Sequence, residues 1–283
     1  MDVDLRKLRY FVAVAEELHF GRAAARLHIA QPVLSRQIRV LEGELRAQLF
    51  VRDKRSTSLT EAGRQLLEDA RPLLASASAL QRRVATAARG TFTVAFMPGI
   101  TVTDAVRSFS SRYPDVSVEL LRTTWDDQTE VLHDGRADVS VVRLPVDRQG
   151  LSLRPLFAEP RVAVVRADHR LAGKESVLVG DLADEHLLND PDAVPEWRDV
   201  AVELRDGTAP RWRGFRSVEE KLEHVAAGRG IAVIPRSTSE YYTRPDVAHV
   251  PIEDLPPNEV CLAWVAARRS PLVHAFAEIL RSV

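Results

Sequence analysis

The chain has 283 residues, 45% of them hydrophobic and 28% charged, with a formal net charge of −1 at pH 7. That length suggests two domains, and the composition is that of a folded protein with a sizeable core. No apolar run approaches the ~18 residues that span a bilayer. The acidic start, Met1-Asp2-Val3-Asp4, lacks the basic-then-apolar order of a signal peptide, so a cytoplasmic location is expected. The single cysteine, Cys261, excludes an intrachain disulfide and argues against a thiolate zinc site. It lies in the apolar run Val260–Val265 and reads as a buried strand residue.

The charge is unevenly spread. Residues 1–90 carry 16 Lys/Arg against 10 Asp/Glu, and residues 91–283 carry 23 against 30. A basic head on an acidic body suits a nucleic-acid-binding module joined to a second domain. The head begins with an amphipathic helix on which Leu5, Leu8, Phe11, Val12, Ala15 and Leu18 recur at three- and four-residue steps, with Asp2 or Asp4 as its cap. A short helix from about Arg22 to Leu27 follows, with Gly21 as the expected N-cap. After the connection His28-Ile29, Pro32 fixes the first turn of a third helix entered at Gln31. At 100° per residue, Leu34, Ile38, Leu41 and Leu45 fall in a stripe about 60° wide. Pro32, Ser35, Arg36 and Arg39 gather on the opposite face, with Gln31 at its leading end. Hydroxyl, amide and guanidinium groups on one face of such a helix are the groups that bind base edges and phosphates in a major groove.

Leu49–Arg52 and Thr57–Leu59 read as two short strands around the basic tip Asp53-Lys54-Arg55-Ser56, a wing. Arg52, Lys54 and Arg55 are its candidate DNA contacts, against the alternative of a basic surface loop. Thr60 is placed to cap a long helix with Glu61 in its first turn. Leu66, Leu67, Ala70, Leu73, Leu74, Ala77, Leu80 and Val84 form its apolar stripe, to be covered by a second copy or by the chain's own body.

The run from Leu18 to Gly63, HFGRAAARLHIAQPVLSRQIRVLEGELRAQLFVRDKRSTSLTEAG at its heart, closely resembles the DNA-binding domain of LysR-type transcriptional regulators. The remaining chain is similar to that family's effector-binding domain in length and layout. The resemblance implies Gln31, Pro32, Ser35 and Arg36 at base edges and nearby backbone, Arg52 and Arg55 in the wing, and a homodimer through the linker helix that often assembles into a homotetramer. Three residues depart from the family pattern. Ala30 stands where many relatives carry a capping serine. Arg46 replaces the usual glycine after Leu45, and would be strained in a left-handed backbone. Pro72 lies inside the linker helix, where a kink or break near residues 68–72 is expected.

In the body, strand-like and helical runs alternate. Strands are expected at 91–96, 116–121 and 137–143, with helices at 104–113 and 126–134 between them. A second set comprises strands at 161–165, 231–234 and 260–267 and helices at 217–227 and 272–283. This argues an α/β domain with a mainly parallel sheet. Joined to the resemblance, it gives a winged helix-turn-helix over 1–59, a linker helix over 60–89 and a two-lobed, periplasmic-binding-protein-like effector domain over 90–283. Lobe I would take about 91–161 and 267–283, lobe II about 162–266, with crossovers near 161–165 and 262–267.

Ligands of open α/β sheets sit at the carboxyl ends of strands, near helix N-termini. That rule selects Pro98, Gly99 and Thr101 after the first strand, Thr124 and Trp125 after the second, and Arg143 after the third. In the second lobe it selects Asn189. Arg143 would hold a carboxylate effector, an organic anion, or else form a surface or inter-lobe salt bridge; Asp190 would oppose an anion. Gly228 and Gly230 read as turn glycines. There is no Gly-rich phosphate loop, HExxH or nucleophile elbow, and the eight histidines are scattered. No catalysis, cofactor or metal is therefore expected. The expected function is sequence-specific binding of double-stranded promoter DNA under the control of a small-molecule effector, with no membrane partner. A solute-binding protein and a ligand-free architectural DNA-binding protein are the competing readings.

Overall fold

The computed structural model describes residues 4–52, 57–209, 214–215 and 217–282. The chain forms two compact units: residues 1–85 with 133–135, and residues 86–132 with 136–283.

The first unit opens with three helices, α1 (Leu5–Glu17), α2 (Phe20–Arg26) and α3 (Gln31–Leu45). Asp4 caps α1 by accepting from the Arg6 N–H at 2.8 Å. His19, not Gly21, caps α2: its Nδ1 accepts from the Arg22 N–H at 3.2 Å, and Gly21 lies inside the helix. Leu8, Phe11, Val12, Leu34, Ile38, Leu41, Leu49 and Phe50 make a common core with Ala23 and Ala24, whose small side chains suit the close packing of α2. The strands β1 (Phe50–Arg52) and β2 (Thr57–Leu59) pair antiparallel, as the wing requires. The wing tip, with Lys54 and Arg55, lies outside the described residues, as does the Arg52 side chain.

Thr60 then caps α4 (Glu61–Arg89), its Oγ1 accepting from the Gly63 N–H at 3.0 Å. Gly63 is needed here, because a Cβ would lie 2.2 Å from the Leu49 carbonyl oxygen. Of the kink or break expected near 68–72, the break is absent: α4 runs through Pro72 as one helix. Proline removes one internal hydrogen bond, at a cost of about 3 kcal/mol. Leu66, Leu67 and Ala70 before it and Leu74 after it all pack on the core of the first unit, and this anchorage on both sides offsets that cost.

The second unit contains two sheets. In chain order its elements are β3 (Thr91–Phe96), α5 (Thr103–Arg112), β4 (Ser117–Arg122), α6 (Glu130–His133), β5 (Val139–Arg143), β6 (Leu151–Glu159), β7 (Arg161–Arg166), α7 (Pro195–Arg198), α8 (Val202–Arg205), α9 (Val218–Ala226), β8 (Ala232–Pro235), α10 (Arg236–Tyr241), β9 (Val247–Pro251), β10 (Asn258–Val265) and α11 (Pro271–Ser282). The first sheet has the order β4-β3-β5-β10-β6, with β3 parallel to β4 and β5, and β10 antiparallel to both its neighbours. Phe92 and Val94 on β3 face α5 and α11, where Phe92, Phe109 and Phe276 form an aromatic cluster with centroids 4.9–5.6 Å apart. Cys261 is buried in β10, as expected of a strand cysteine.

The second sheet, β8-β7-β9, pairs only antiparallel, which corrects the expectation of a mainly parallel body. The chain crosses into it at Pro160, directly between β6 and β7. It returns between Pro251 and Asn258, earlier than the expected 262–267, because all of β10 belongs to the first sheet. The expected helix over 126–134 shrinks to α6. The backbone N–H and hydroxyl of Thr124 both donate to Asp127 Oδ1, at 2.7 and 2.9 Å, and so hold the preceding residues in a turn.

Candidate DNA interface and effector cavity

On α3 the separation of faces follows the sequence. Leu34, Ile38 and Leu41 are buried, while Gln31, Pro32, Arg36 and Arg39 are exposed and Ser35 is half-buried. The side chains of Gln31, Ser35, Arg36 and Arg39 make no hydrogen bond or ion pair with the described residues, so their donors are open to a partner. Neighbouring cations differ: Arg22 and Arg26 pair with Glu16 and Glu17, and Lys7 with Glu44. Ala30 occupies the N-cap without a side-chain hydrogen bond, leaving the first N–H groups of α3 uncapped by its side chain. At the other end Arg46 is left-handed (φ +53°, ψ +36°), and its N–H and that of Ala47 close the last turn on Gly43 and Glu42. A guanidinium fork, an amide and a free helix N-terminus on one exposed face match the donors that DNA presents acceptors for.

Within the second unit, a cavity of about 160 Å³ lies between the two sheets. Met97 and Pro98 after β3, Arg122, Thr124, Trp125 and Asp126 at the end of β4, and Arg143 at the end of β5 line one side. Leu188, Asn189, Phe215, Val218, Lys221, Val233 and Ile234 line the other. Of the residues expected from sequence, the cavity brings together Pro98, Thr124, Trp125, Arg143 and Asn189, and it leaves out Gly99 and Thr101. Gly99 (φ +81°) backs against α10, where a Cβ would lie 2.6 Å from the Thr238 backbone. Thr101 is exposed, with its hydroxyl 3.3 Å from that of Thr103.

Of the alternatives left open for Arg143, the structure shows a salt bridge. Arg143 is 1% exposed, and its donors are committed inside the protein. Nε donates to Glu159 Oε1 at 3.0 Å, Nη1 to the Pro98 carbonyl at 2.8 Å and Nη2 to Ser237 Oγ at 2.9 Å. Glu159 Oε2 accepts in turn from the Ser237 N–H at 2.9 Å, and the Thr238 hydroxyl donates to the Pro98 carbonyl at 3.0 Å. Arg143 and Glu159 stand in the first sheet and Ser237 and Thr238 on α10 beside the second, so this network clasps the two lobes. Burial pushes the Arg143 guanidinium below its ordinary value, against the raising influence of Glu159. Asn189 is engaged too, its amide pairing with both backbone groups of Val233.

Sequence reasoning missed Lys221, Asn258, Phe215 and Arg161 as lining residues. Arg161 donates to Glu196 and the Pro256 carbonyl. Lys221 leaves a trace in composition: lysine occurs at only four positions, 7, 54, 174 and 221, among 39 Lys and Arg residues. No group of three metal-ligating side chains occurs among the described residues, and no described helix is long and apolar enough to cross a membrane.

Comparison with known proteins agrees with this division of the chain. Residues 5–64 match the bacterial regulatory helix-turn-helix protein, lysR family, and residues 85–283 match the LysR substrate binding domain. The uncharacterized HTH-type transcriptional regulator YnfL of Escherichia coli is 34% identical over 283 residues, covering 93% of each chain. Among solved structures, CbnR, a LysR family transcriptional regulator, superposes with a TM-score of 0.64 at 27% identity over 99% of both chains. Full-length CbnR in complex with its target DNA gives 0.52 at 27% identity, again over 99% of both. The chain therefore belongs to the LysR family: it is a DNA-binding transcriptional regulator, not an enzyme, with an effector-binding domain behind its helix-turn-helix.

Proposed function

We propose that a small molecule seated between the two sheets controls how this regulator engages double-stranded promoter DNA. The cavity of about 160 Å³ carries this reading. It lies at the carboxyl ends of β3, β4 and β5, where α/β sheets bind ligands, and its volume is close to that of a cavity of about 150 Å³ that accepts benzene. Pro98, Thr124 and Trp125 are the expected contacts retained there, while Arg143 and Asn189 shape the site from behind. On the DNA side, Gln31, Pro32, Ser35, Arg36 and Arg39 face the major groove, with Arg52, Lys54 and Arg55 of the wing along the backbone. CbnR, solved with its target DNA, supports use of the same domain.

The chain acts as a homodimer through α4, or as a homotetramer built from such dimers. Leu73, Leu80 and Val84, at steps of seven and four, leave an apolar line 45–66% exposed on α4. A line of that kind on a long helix is stable in water when a second helix covers it.

The test combines three readings on one purified sample: sedimentation, thermal shift against a panel of one-ring-sized metabolites, and footprinting on the gene's own upstream region. An oligomer, at least one stabilising metabolite and a footprint that changes with it are expected. A monomer at micromolar concentration contradicts the dimer. Stabilising metabolites that leave the footprint unchanged mark a constitutive DNA-binding protein.

A further inference from the structure

Among the described residues, each arginine lining the cavity is paired with a carboxylate. Arg143 pairs with Glu159, Arg161 with Glu196 and Arg122 with Glu219. Asp190 is turned back to accept from the Asp192 N–H at 2.9 Å. Lys221 is different. It lies in α9 just after the capping residue Ser217, and its ammonium makes no hydrogen bond or ion pair with the described residues. Its partner is the face of Phe215, 6.0 Å from Nζ to the ring centroid, and the exposed Asp126 exerts an opposing charge on it. A second polar group also lacks a partner. Asn258 is nine-tenths buried at the start of β10, and its Nδ2 donates to the Leu144 carbonyl at 2.8 Å. That bond fixes the amide, and Oδ1 has no hydrogen-bond partner. A buried acceptor without a donor is costly, and so is a desolvated ammonium without an anion.

We infer that the effector is a small monocarboxylate carrying a hydrogen-bond donor, with Lys221 receiving its carboxylate and Asn258 Oδ1 accepting from its hydroxyl or amide N–H. The inference rests on the reading of the cavity as the effector site. One unengaged cation among the described residues, with Asp126 in the background, matches a single negative charge; a phosphate dianion would need several more donors. Leu188, Val218, Val233 and Ile234 supply an apolar wall, so the rest of the molecule is hydrocarbon of about one ring or a short branched chain. Burial lowers the Lys221 pKa to about 8, so a bound carboxylate reverses that depression and draws a proton onto the amine.

With four lysines, isotope labelling at Cε makes each side chain readable by NMR in the full-length protein, and Lys221→Met identifies the signal of interest. The probes are isovalerate, 2-hydroxyisovalerate and the neutral 2-hydroxyisovaleramide, each at tens of millimolar, as suits ligands of so few atoms. Both carboxylates should raise the Lys221 titration midpoint from about 8 toward the ordinary lysine value of about 10.4, and the amide should not. The hydroxy acid should bind severalfold tighter than isovalerate, an advantage that Asn258→Leu removes while the Lys221 response remains. Lys221→Met should weaken both acids by about tenfold or more and leave the amide unaffected. If the amide perturbs cavity residues while no carboxylate moves Lys221, the cavity is a ligand site and the carboxylate inference is wrong. If no probe perturbs any lining residue, the inference falls together with the effector-site reading.

Discussion

Arg36 and Arg39 on α3 reach solvent with no partner among the described residues, whereas Arg143 at the end of β5 is buried and held by Glu159, Pro98 and Ser237. The same side chain thus does two jobs in one molecule. On the DNA-binding unit its fork is left open among the described residues, and its donors are available to a partner. In the sensor unit the fork is filled at folding, and what it contributes is the relation of one lobe to the other. A cationic residue at a ligand-binding strand end is therefore informative only once its partners are known.

The largest expected effect breaks the inner half of this comparison. Arg143→Ala leaves Glu159 buried with one interaction fewer and opens the clasp. Removing one partner of a buried ion pair destabilises by about 3–5 kcal/mol, so thermal denaturation should show a large drop in Tm with or without ligand. A variant that melts normally but loses its ligand response would instead return Arg143 to the effector. A smaller effect sharpens the outer half. Arg46 holds a left-handed conformation at the exit of the recognition helix, for which a non-glycine residue is penalised by about 1–2 kcal/mol. Glycine is also more flexible when unfolded, which reduces the gain. Arg46→Gly should stabilise the protein by about 1 kcal/mol in chemical denaturation, with no loss of operator affinity. A loss of affinity would give Arg46 itself a role at the DNA.

The outward face of α3 was legible because its signal is local. A helical period places Leu34, Ile38 and Leu41 inward, and everything polar between them must face out. Arg143 was only half legible. Its position at a strand end follows from the alternation of elements, but its partner Glu159 closes β6, a strand that Pro155 disguises. Proline is tolerated there because β6 is the sheet edge and its register with β10 shifts beside Pro155. The antiparallel second sheet was hidden for a related reason. Its edge strand β9 is five residues long and contains a histidine, too short a run to set a period. Lys221 sits in an amphipathic helix whose pattern it does not disturb. Only the scarcity of lysine in an arginine-rich chain marks it, and composition cannot say where a side chain points. His19 displaced Gly21 as the cap of α2 because an imidazole nitrogen can accept an N–H as a serine oxygen does, a substitution absent from the usual capping preferences.

Which face of α3 meets DNA can be measured directly. Wild-type protein and Arg36→Ala are titrated, at physiological salt, against the tightest duplex selected from a random pool and against an unrelated duplex. A base-edge contact is worth about 1–3 kcal/mol of discrimination. Arg36→Ala should bind the selected duplex roughly tenfold or more weakly, with a much smaller change on the unrelated one. Equal affinity of the two proteins for the selected duplex would mean that the exposed face of Gln31, Ser35, Arg36 and Arg39 is not the one that reads the operator.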